Sequence, residues 1–154
     1  MNHFQSVAFI GSGRVANHLA PALLEKGVEI EGIYGRNEEE TKKLADKIGS
    51  RIIEDLGKPI HADLILLTVS DDSIEEVSNQ LHSRFDGLVA HTSGAVPITA
   101  INDRFRRAVF YPLQSFSIDK KVVWENVPFC LEAQNDEDLN GLGDLAELLS
   151  QRVH

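Results

Sequence analysis

The 22 residues "SVAFIGSGRVANHLAPALLEKG", positions 6–27, decide the fold. The run "SVAFIG" is short, apolar and closed by a glycine, the pattern of a parallel strand buried on both faces. In "RVANHLAPALLEKG", Val15, Leu19, Ala22 and Leu23 recur at helical spacing and Gly27 supplies the stop. Between strand and helix lies G-x-G-x-x-A, with Gly11, Gly13 and Ala16 in its three fixed positions. Gly11 permits the tight turn, Gly13 lets the backbone approach a pyrophosphate, and Ala16 lets helix and sheet pack closely. The helix N-terminus adds free N–H groups and a partial positive charge. Pro21 is at odds with this reading: inside a helix it removes a hydrogen bond and kinks the axis, at a cost of about 3 kcal/mol unless packing compensates.

Outward from this unit, apolar runs keep alternating with helix-period segments. "VEIEGIY" reads as a second strand, and Asn37 with Glu40 three residues on gives a capping-box start to the next helix. "RIIE" reads as a short third strand and "DLILLTV" as a fourth at the centre of a sheet. A helix follows from about Asp72, with Ile74, Val77, Leu81 and Phe85 on one stripe. "GLVAH" is a fifth strand, and a short helix from about Pro97 uses proline in its favoured first-turn position. "RAVFY" and "VPFCLEA" are two more strands. The last helix is expected from Asp136 to Gln151, with Leu139, Leu142, Ala146 and Leu149 facing inward. Repeated β-α-β units of this kind specify a Rossmann-type, doubly wound, mostly parallel α/β sheet with helices on both faces.

Composition narrows the function classes. A chain of 154 residues has the size of one domain, so residues 1–154 are read as a single dinucleotide-binding unit. No apolar run approaches the roughly 20 residues of a membrane span, and residues 1–6 lack the basic start and apolar stretch of a signal peptide. A cytoplasmic location without membrane association is expected. The formal charge of −9 disfavours non-specific binding to nucleic acid or anionic lipid, so any phosphate ligand must be held by local chemistry. Cys130 is the sole cysteine, so no intramolecular disulfide and no thiolate metal cluster can form. His3, His18, His61, His82 and His154 show no metal-ligand spacing and are read as surface or packing residues. The chain has neither a G-x-x-x-x-G-K-[ST] phosphate loop nor a Tyr-x-x-x-Lys pair.

The cofactor-discriminating position gives the next clue. An NAD site places an acid about 20 residues past the glycine turn, at the end of the second strand, to bind the ribose 2′-hydroxyl. Here that place holds Gly35, Arg36 and Asn37. A carboxylate would repel a 2′-phosphate, whereas the planar fork of Arg36 would bind one bidentately. Gly35 is expected to leave room for the phosphate, and Asn37 to add donors. NADP is therefore the expected cofactor, held by Gly11, Ser12, Gly13, Arg14, Val15, Ala16, Gly35, Arg36 and Asn37. A solvated Arg36 that merely offsets Glu38, Glu39 and Glu40 is the alternative.

Together the glycine turn, "GRN", "TVSDDSI", "HTSG" and "FYPLQSFS" resemble the N-terminal Rossmann-like domain of a bacterial NADP oxidoreductase family in the 6-phosphogluconate dehydrogenase-like superfamily. The resemblance extends to pyrroline-5-carboxylate reductase, prephenate dehydrogenase and deazaflavin-dependent NADP oxidoreductase, and it covers essentially the whole chain. It implies hydride transfer between NADPH and a small C=O or C=N substrate. A non-catalytic NADP-binding sensor or regulatory module is the alternative. It further implies a homodimer in the full-length protein, with a C-terminal helical domain that this chain lacks, so the chain is expected to be incomplete for catalysis. At the carboxyl ends of the strands, Val69, Ser70, Asp71 and Ser73 would face the cofactor, unless Asp72 and Ser73 serve only as a helix cap. "HTSGAVP" is similar to the D-x-S-T-x-x-P substrate motif of β-hydroxyacid dehydrogenases at Ser93 and Pro97, and departs from it at His91 and Gly94. His91 is the candidate for proton transfer and Ser93 for a hydrogen bond to substrate or carboxamide. Thr92, Gly94, Tyr111 and Gln114 are candidate substrate lining. No metal site is expected.

Overall fold

The computed structural model describes residues 3–117 and 119–154; Met1 and Asn2, which open the segment read for a signal peptide, lie outside them. The elements are β1 (Ser6–Ile10), α1 (Arg14–Glu25), β2 (Glu29–Tyr34), α2 (Glu38–Ile48), β3 (Leu64–Leu67), α3 (Ile74–Gln80), β4 (Leu88–His91), β5 (Arg106–Pro112), β6 (Phe129–Ala133) and α4 (Asp136–Glu147). The strands form one sheet in the order β2-β1-β3-β4-β5-β6. All neighbours are parallel except the β5–β6 pair, which is antiparallel. The chain leaves β1 to one side for β2 and then crosses to the other side for β3. A crevice therefore opens between the ends of β1 and β3, the topological switch point where such sheets bind ligands.

Alternation along the central strands places apolar residues on both faces. Val7 and Phe9 of β1, with Leu64 and Leu66 of β3, pack beneath Ala16, Leu19 and Leu23 of α1, Leu44 of α2 and Leu142 and Leu145 of α4. Ala8, Ile10, Ile65 and Leu67 point the other way, against Ile74, Val77 and Leu81 from α3 and the residue just beyond it, and against Ile101 and Phe105. This two-sided burial makes β1 and β3 continuous apolar runs. Ala16 is fully buried, so a larger side chain there would separate α1 from the sheet.

Several boundaries differ from the sequence expectation. "RIIE" contributes a single rung, a parallel bridge between Ile33 and Ile52, because Asp55 accepts a hydrogen bond from the Gly57 N–H and turns the chain away. The segment after Pro97 is a 3-10 turn, Ile98–Ala100, with Pro97 just before it. Before α3 the chain takes another 3-10 turn, Asp71–Ser73; the Ser70 and Ser73 hydroxyls pair at 3.1 Å, and no side chain caps α3. α4 ends at Glu147, short of Gln151, and Leu139 is 37% exposed, outside the inward stripe. The residues beyond α4 lie along the open edge of β6: the Phe129 N–H donates to the Arg152 carbonyl and the His154 N–H to the Phe129 carbonyl, both at 2.8 Å. α1 runs through Pro21 as one helix.

Candidate functional site

Strand register brings the sequence motifs to one end of the sheet. Ile10 pairs with Tyr34 on one side and Leu67 on the other, Leu67 pairs with His91, and His91 pairs with Val109. The glycine turn, the loop at 35–37, the segment at 68–73, "HTSG" and the chain at Tyr111 therefore all leave the sheet from one row.

Gly11 has φ +123° and its N–H donates to the Tyr34 carbonyl. A Cβ there would collide with the Thr68 carbonyl, so both the conformation and the space require glycine. Thr68 in turn donates its hydroxyl toward the Gly11 and Ile10 carbonyls. Gly13 faces open space, and a Cβ there would meet nothing within 4 Å. It is the N-cap of α1, which has no side-chain cap and no acid in its first turn. By contrast, α2 and α4 are each capped by an asparagine, Asn37 and Asn135, and each carries three acids in its first turn. The helix that opens onto the crevice thus keeps its N–H donors and positive end free for an anion. Asn17 steadies the turn by donating from Nδ2 to the Ser12 and Gly13 carbonyls at 2.9 and 2.8 Å.

A cleft of about 500 Å³ lies at this point. Of the residues anticipated for the cofactor, Gly11, Ser12, Gly13, Gly35, Arg36, Asn37, Val69, Ser70 and Ser73 line it. Arg14, Val15, Ala16 and Asp71 do not: Arg14 and Asp71 are exposed, Val15 is half-buried and Ala16 is in the core. Tyr34, Glu40, Thr68, Glu76, Val77 and Gln80 also line the cleft and were not anticipated. Val77 and Gln80 sit three residues apart on α3, a spacing that could have flagged one helix face turned to the cleft. Arg36 is exposed and makes no salt bridge among the described residues, whereas Glu39 pairs with Lys43 at 3.7 Å. Gly35 does not simply leave a void: a Cβ there would run into the Ser12 and Thr41 hydroxyls.

The "HTSG" segment forms a compact turn beside this cleft. His91 is fully buried; its Nδ1 accepts the Ser93 N–H at 3.1 Å and its Nε2 lies 3.3 Å from the Pro97 carbonyl. Those partners require a neutral ring with the proton on Nε2, and burial lowers the pKa, partly offset by the Pro97 and Val96 carbonyls. The Ser93 hydroxyl accepts from the Ala95 N–H at 3.1 Å. Thr92 reaches the Leu67 carbonyl at 3.4 Å. Gly94 lies against the edge of the Tyr111 ring, with no room for a side chain between them. Gln114 is exposed and bonds to the Ser115 carbonyl at 3.2 Å. His18 of α1, expected to be a surface or packing residue, stacks on Phe116 and holds the Ser117 carbonyl at 2.7 Å from Nε2, fastening the segment after β5 to α1.

Among solved structures, the chain superposes on a "putative NADP oxidoreductase" from Bacteroides fragilis with 30% identity and a TM-score of 0.83, covering 97% of this chain and 60% of that one. A pyrroline-5-carboxylate reductase from Coxiella burnetii shares the fold at 20% identity and a TM-score of 0.75, covering 99% of this chain and 58% of that one. Arogenate dehydrogenase from Synechocystis does so at 19% and 0.74, with 97% and 58% covered. The chain thus spans about 60% of the length of these proteins. No curated protein sequence matches it. The family model described as "NADP oxidoreductase coenzyme F420-dependent" matches residues 6–90, from the start of β1 to β4 and through both the glycine turn and Arg36. With more than half of its length matched in this way, the chain belongs to that family of NADP oxidoreductases.

Proposed function

We propose that the cleft between β1 and β3 binds NADP, and that the chain serves an oxidoreductase acting on a small carbonyl or imine substrate. The observation that carries this reading is Arg36, an exposed guanidinium with no salt bridge among the described residues, on the rim of the cleft that the glycine turn lines. The residues fit the cofactor in parts: open space over Gly13 and the uncapped end of α1 suit a pyrophosphate, and Arg36 suits a 2′-phosphate. The side-chain oxygen of Asn37 is taken by the Glu40 N–H at 2.9 Å, which leaves its amide hydrogens as further donors. Val69, Ser70 and Ser73 close the opposite wall.

When bound, the nicotinamide supplies or accepts the hydride. The protein's own part is to position and to exclude water. Ser93, Gly94 and Tyr111 belong to the rim on which a substrate would rest. His91, with both ring nitrogens engaged inside the turn, acts here as the residue that shapes this rim; proton exchange through it requires one of those two contacts to open. Residues 1–154 form the nucleotide-binding unit of this activity, and a homodimer is the expected assembly.

The test is a fluorescence titration of the purified chain with NADPH and NADH, repeated with Arg36→Ala. Tight binding selective for NADPH is expected, and the variant should bind the two cofactors with similar, weaker affinity, losing at least tenfold for NADPH. Equal affinities in the unaltered chain would refute the assignment to NADP.

A further inference from the structure

We infer that His18 is a positioning residue for the nicotinamide half of the cofactor: it latches the stretch 113–117 onto α1, and that stretch forms a wall which the nicotinamide meets. This inference rests on the reading of the cleft as an NADP site. A dinucleotide whose pyrophosphate lies over Gly13 extends both ways along the ends of the strands. The cleft between β1 and β3, with Arg36 on its rim, takes the adenosine half. The nicotinamide half therefore lies on the other side of Gly13, toward β4 and β5, where the rim carries Ser93, Gly94 and Tyr111.

The stretch 113–117 is pinned at both ends, and both pins are at the site end of the sheet. At one end, Tyr111 and Pro112 close β5 just beyond the rung that pairs Val109 with His91, and the Leu113 N–H donates to the Pro128 carbonyl at 2.8 Å. At the other, the His18 ring stacks on Phe116 with centroids 5.4 Å apart, and Nε2 lies 2.7 Å from the Ser117 carbonyl. A carbonyl only accepts, so Nε2 carries the proton. Helical side chains lean toward the N-terminus, so His18 covers the turn of α1 that begins at Arg14, next to the open space over Gly13. Between its anchors the stretch thus crosses from the end of β5 to the anion-facing end of α1. Leu113, 51% exposed, offers an apolar surface there. Gln114 bonds only to its neighbours, the Pro112 and Ser115 carbonyls, so the tie to α1 depends on His18. Behind the latch, Phe116 packs on Trp124 and Trp124 on Phe129, which carries the wall back to the core.

The experiment titrates the unaltered chain, His18→Ala and His18→Gln with NADPH and with adenosine 2′,5′-bisphosphate, which has the adenosine half and no nicotinamide. His18→Ala should weaken NADPH about fivefold or more, the factor that one lost hydrogen bond corresponds to. It should leave the bisphosphate within about twofold, on the same estimate. His18→Gln, whose Nε2 can donate to the same carbonyl, should restore most of the NADPH affinity. A loss shared equally by both ligands would assign His18 to the fold alone, and an NADPH affinity untouched by His18→Ala would leave the wall without a role; either overturns the inference. A second reading needs no variant, because Trp124 is the sole tryptophan and packs on Phe116. NADP⁺, whose oxidised ring takes up no energy from tryptophan at long range, should change the Trp124 emission, and the bisphosphate should not. Equal changes, or none, overturn the inference as well. Failure of the unaltered chain to bind either ligand, or to prefer NADPH over NADH, overturns the cofactor reading itself.

Discussion

At the residue scale, His91 links the local chemistry of the site to the stability of the whole chain. Its Nδ1 accepts a backbone N–H and the ring is buried, and burial outweighs the Pro97 and Val96 carbonyls and the Asp71 and Glu132 carboxylates, so the native state holds the ring neutral and its pKa below the ordinary 6.5. The unfolded chain, with the ordinary value, takes up the proton first as pH falls. The contribution of His91 is therefore fully present above about pH 6.5 and is lost progressively below it, down to the lowered native value. In His91→Asn the side-chain oxygen can accept the Ser93 N–H in place of Nδ1 and nothing titrates. Urea midpoints measured between pH 7.5 and 5.5 should fall more steeply for the unaltered chain than for the variant. Parallel slopes would show that His91 is not held neutral. The position of His91 at a strand end was legible in the sequence, because "GLVAH" is apolar to its last residue. Its two partners were not, since they come from a turn whose path no periodicity encodes.

At the element scale, the central strands and α1 were legible because burial on both faces leaves an unbroken apolar run and because glycine and alanine occupy positions that only small residues can fill. "RIIE" misled for a physical reason: Ile52 and Ile53 have strand propensity, but at the outer edge of β2 a single rung forms before Asp55 turns the chain. Leu139 misled because α4 presents its apolar stripe through Leu142 and Leu145 and leaves Leu139 at the margin. Pro21 is the feature of α1 that propensity disfavours, and the helix nevertheless continues from Arg14 to Glu25. The proline ring carries no N–H, so the Asn17 carbonyl lacks its usual partner one turn on. Pro21→Ala restores that donor at a half-buried position. It should raise stability by about 1 kcal/mol or more, or about 2–4 °C in melting temperature for a chain of this size. A fall in melting temperature would mean that α1 is shaped around the ring and its packing depends on it.

On the scale of the whole molecule, the local and global electrostatics oppose each other. The chain carries a formal charge of −9, yet the cleft proposed to hold NADP presents an uncapped helix end and Arg36. Binding must therefore come from donors held in place at the switch point and not from long-range attraction, and those donors exist only in the folded state. The glycine turn is fixed by Thr68 and Asn17, and the loop bearing Arg36 is fixed by Thr41. These ties join β1, α1, β3 and α2, so a ligand that engages the turn and the loop together binds the native fold and not the unfolded chain. By linkage, NADPH at about a hundredfold above its dissociation constant should add about 2.7 kcal/mol of stability. For a chain of this size that corresponds to about 5–10 °C in melting temperature. NADH at the same concentration should give a smaller shift, and in Arg36→Ala the two shifts should converge, because the variant keeps the pyrophosphate site and loses only the partner of the 2′-phosphate. Equal shifts for both cofactors in the unaltered chain would refute the assignment to NADP, and unequal shifts that persist in Arg36→Ala would place the discrimination elsewhere than at Arg36.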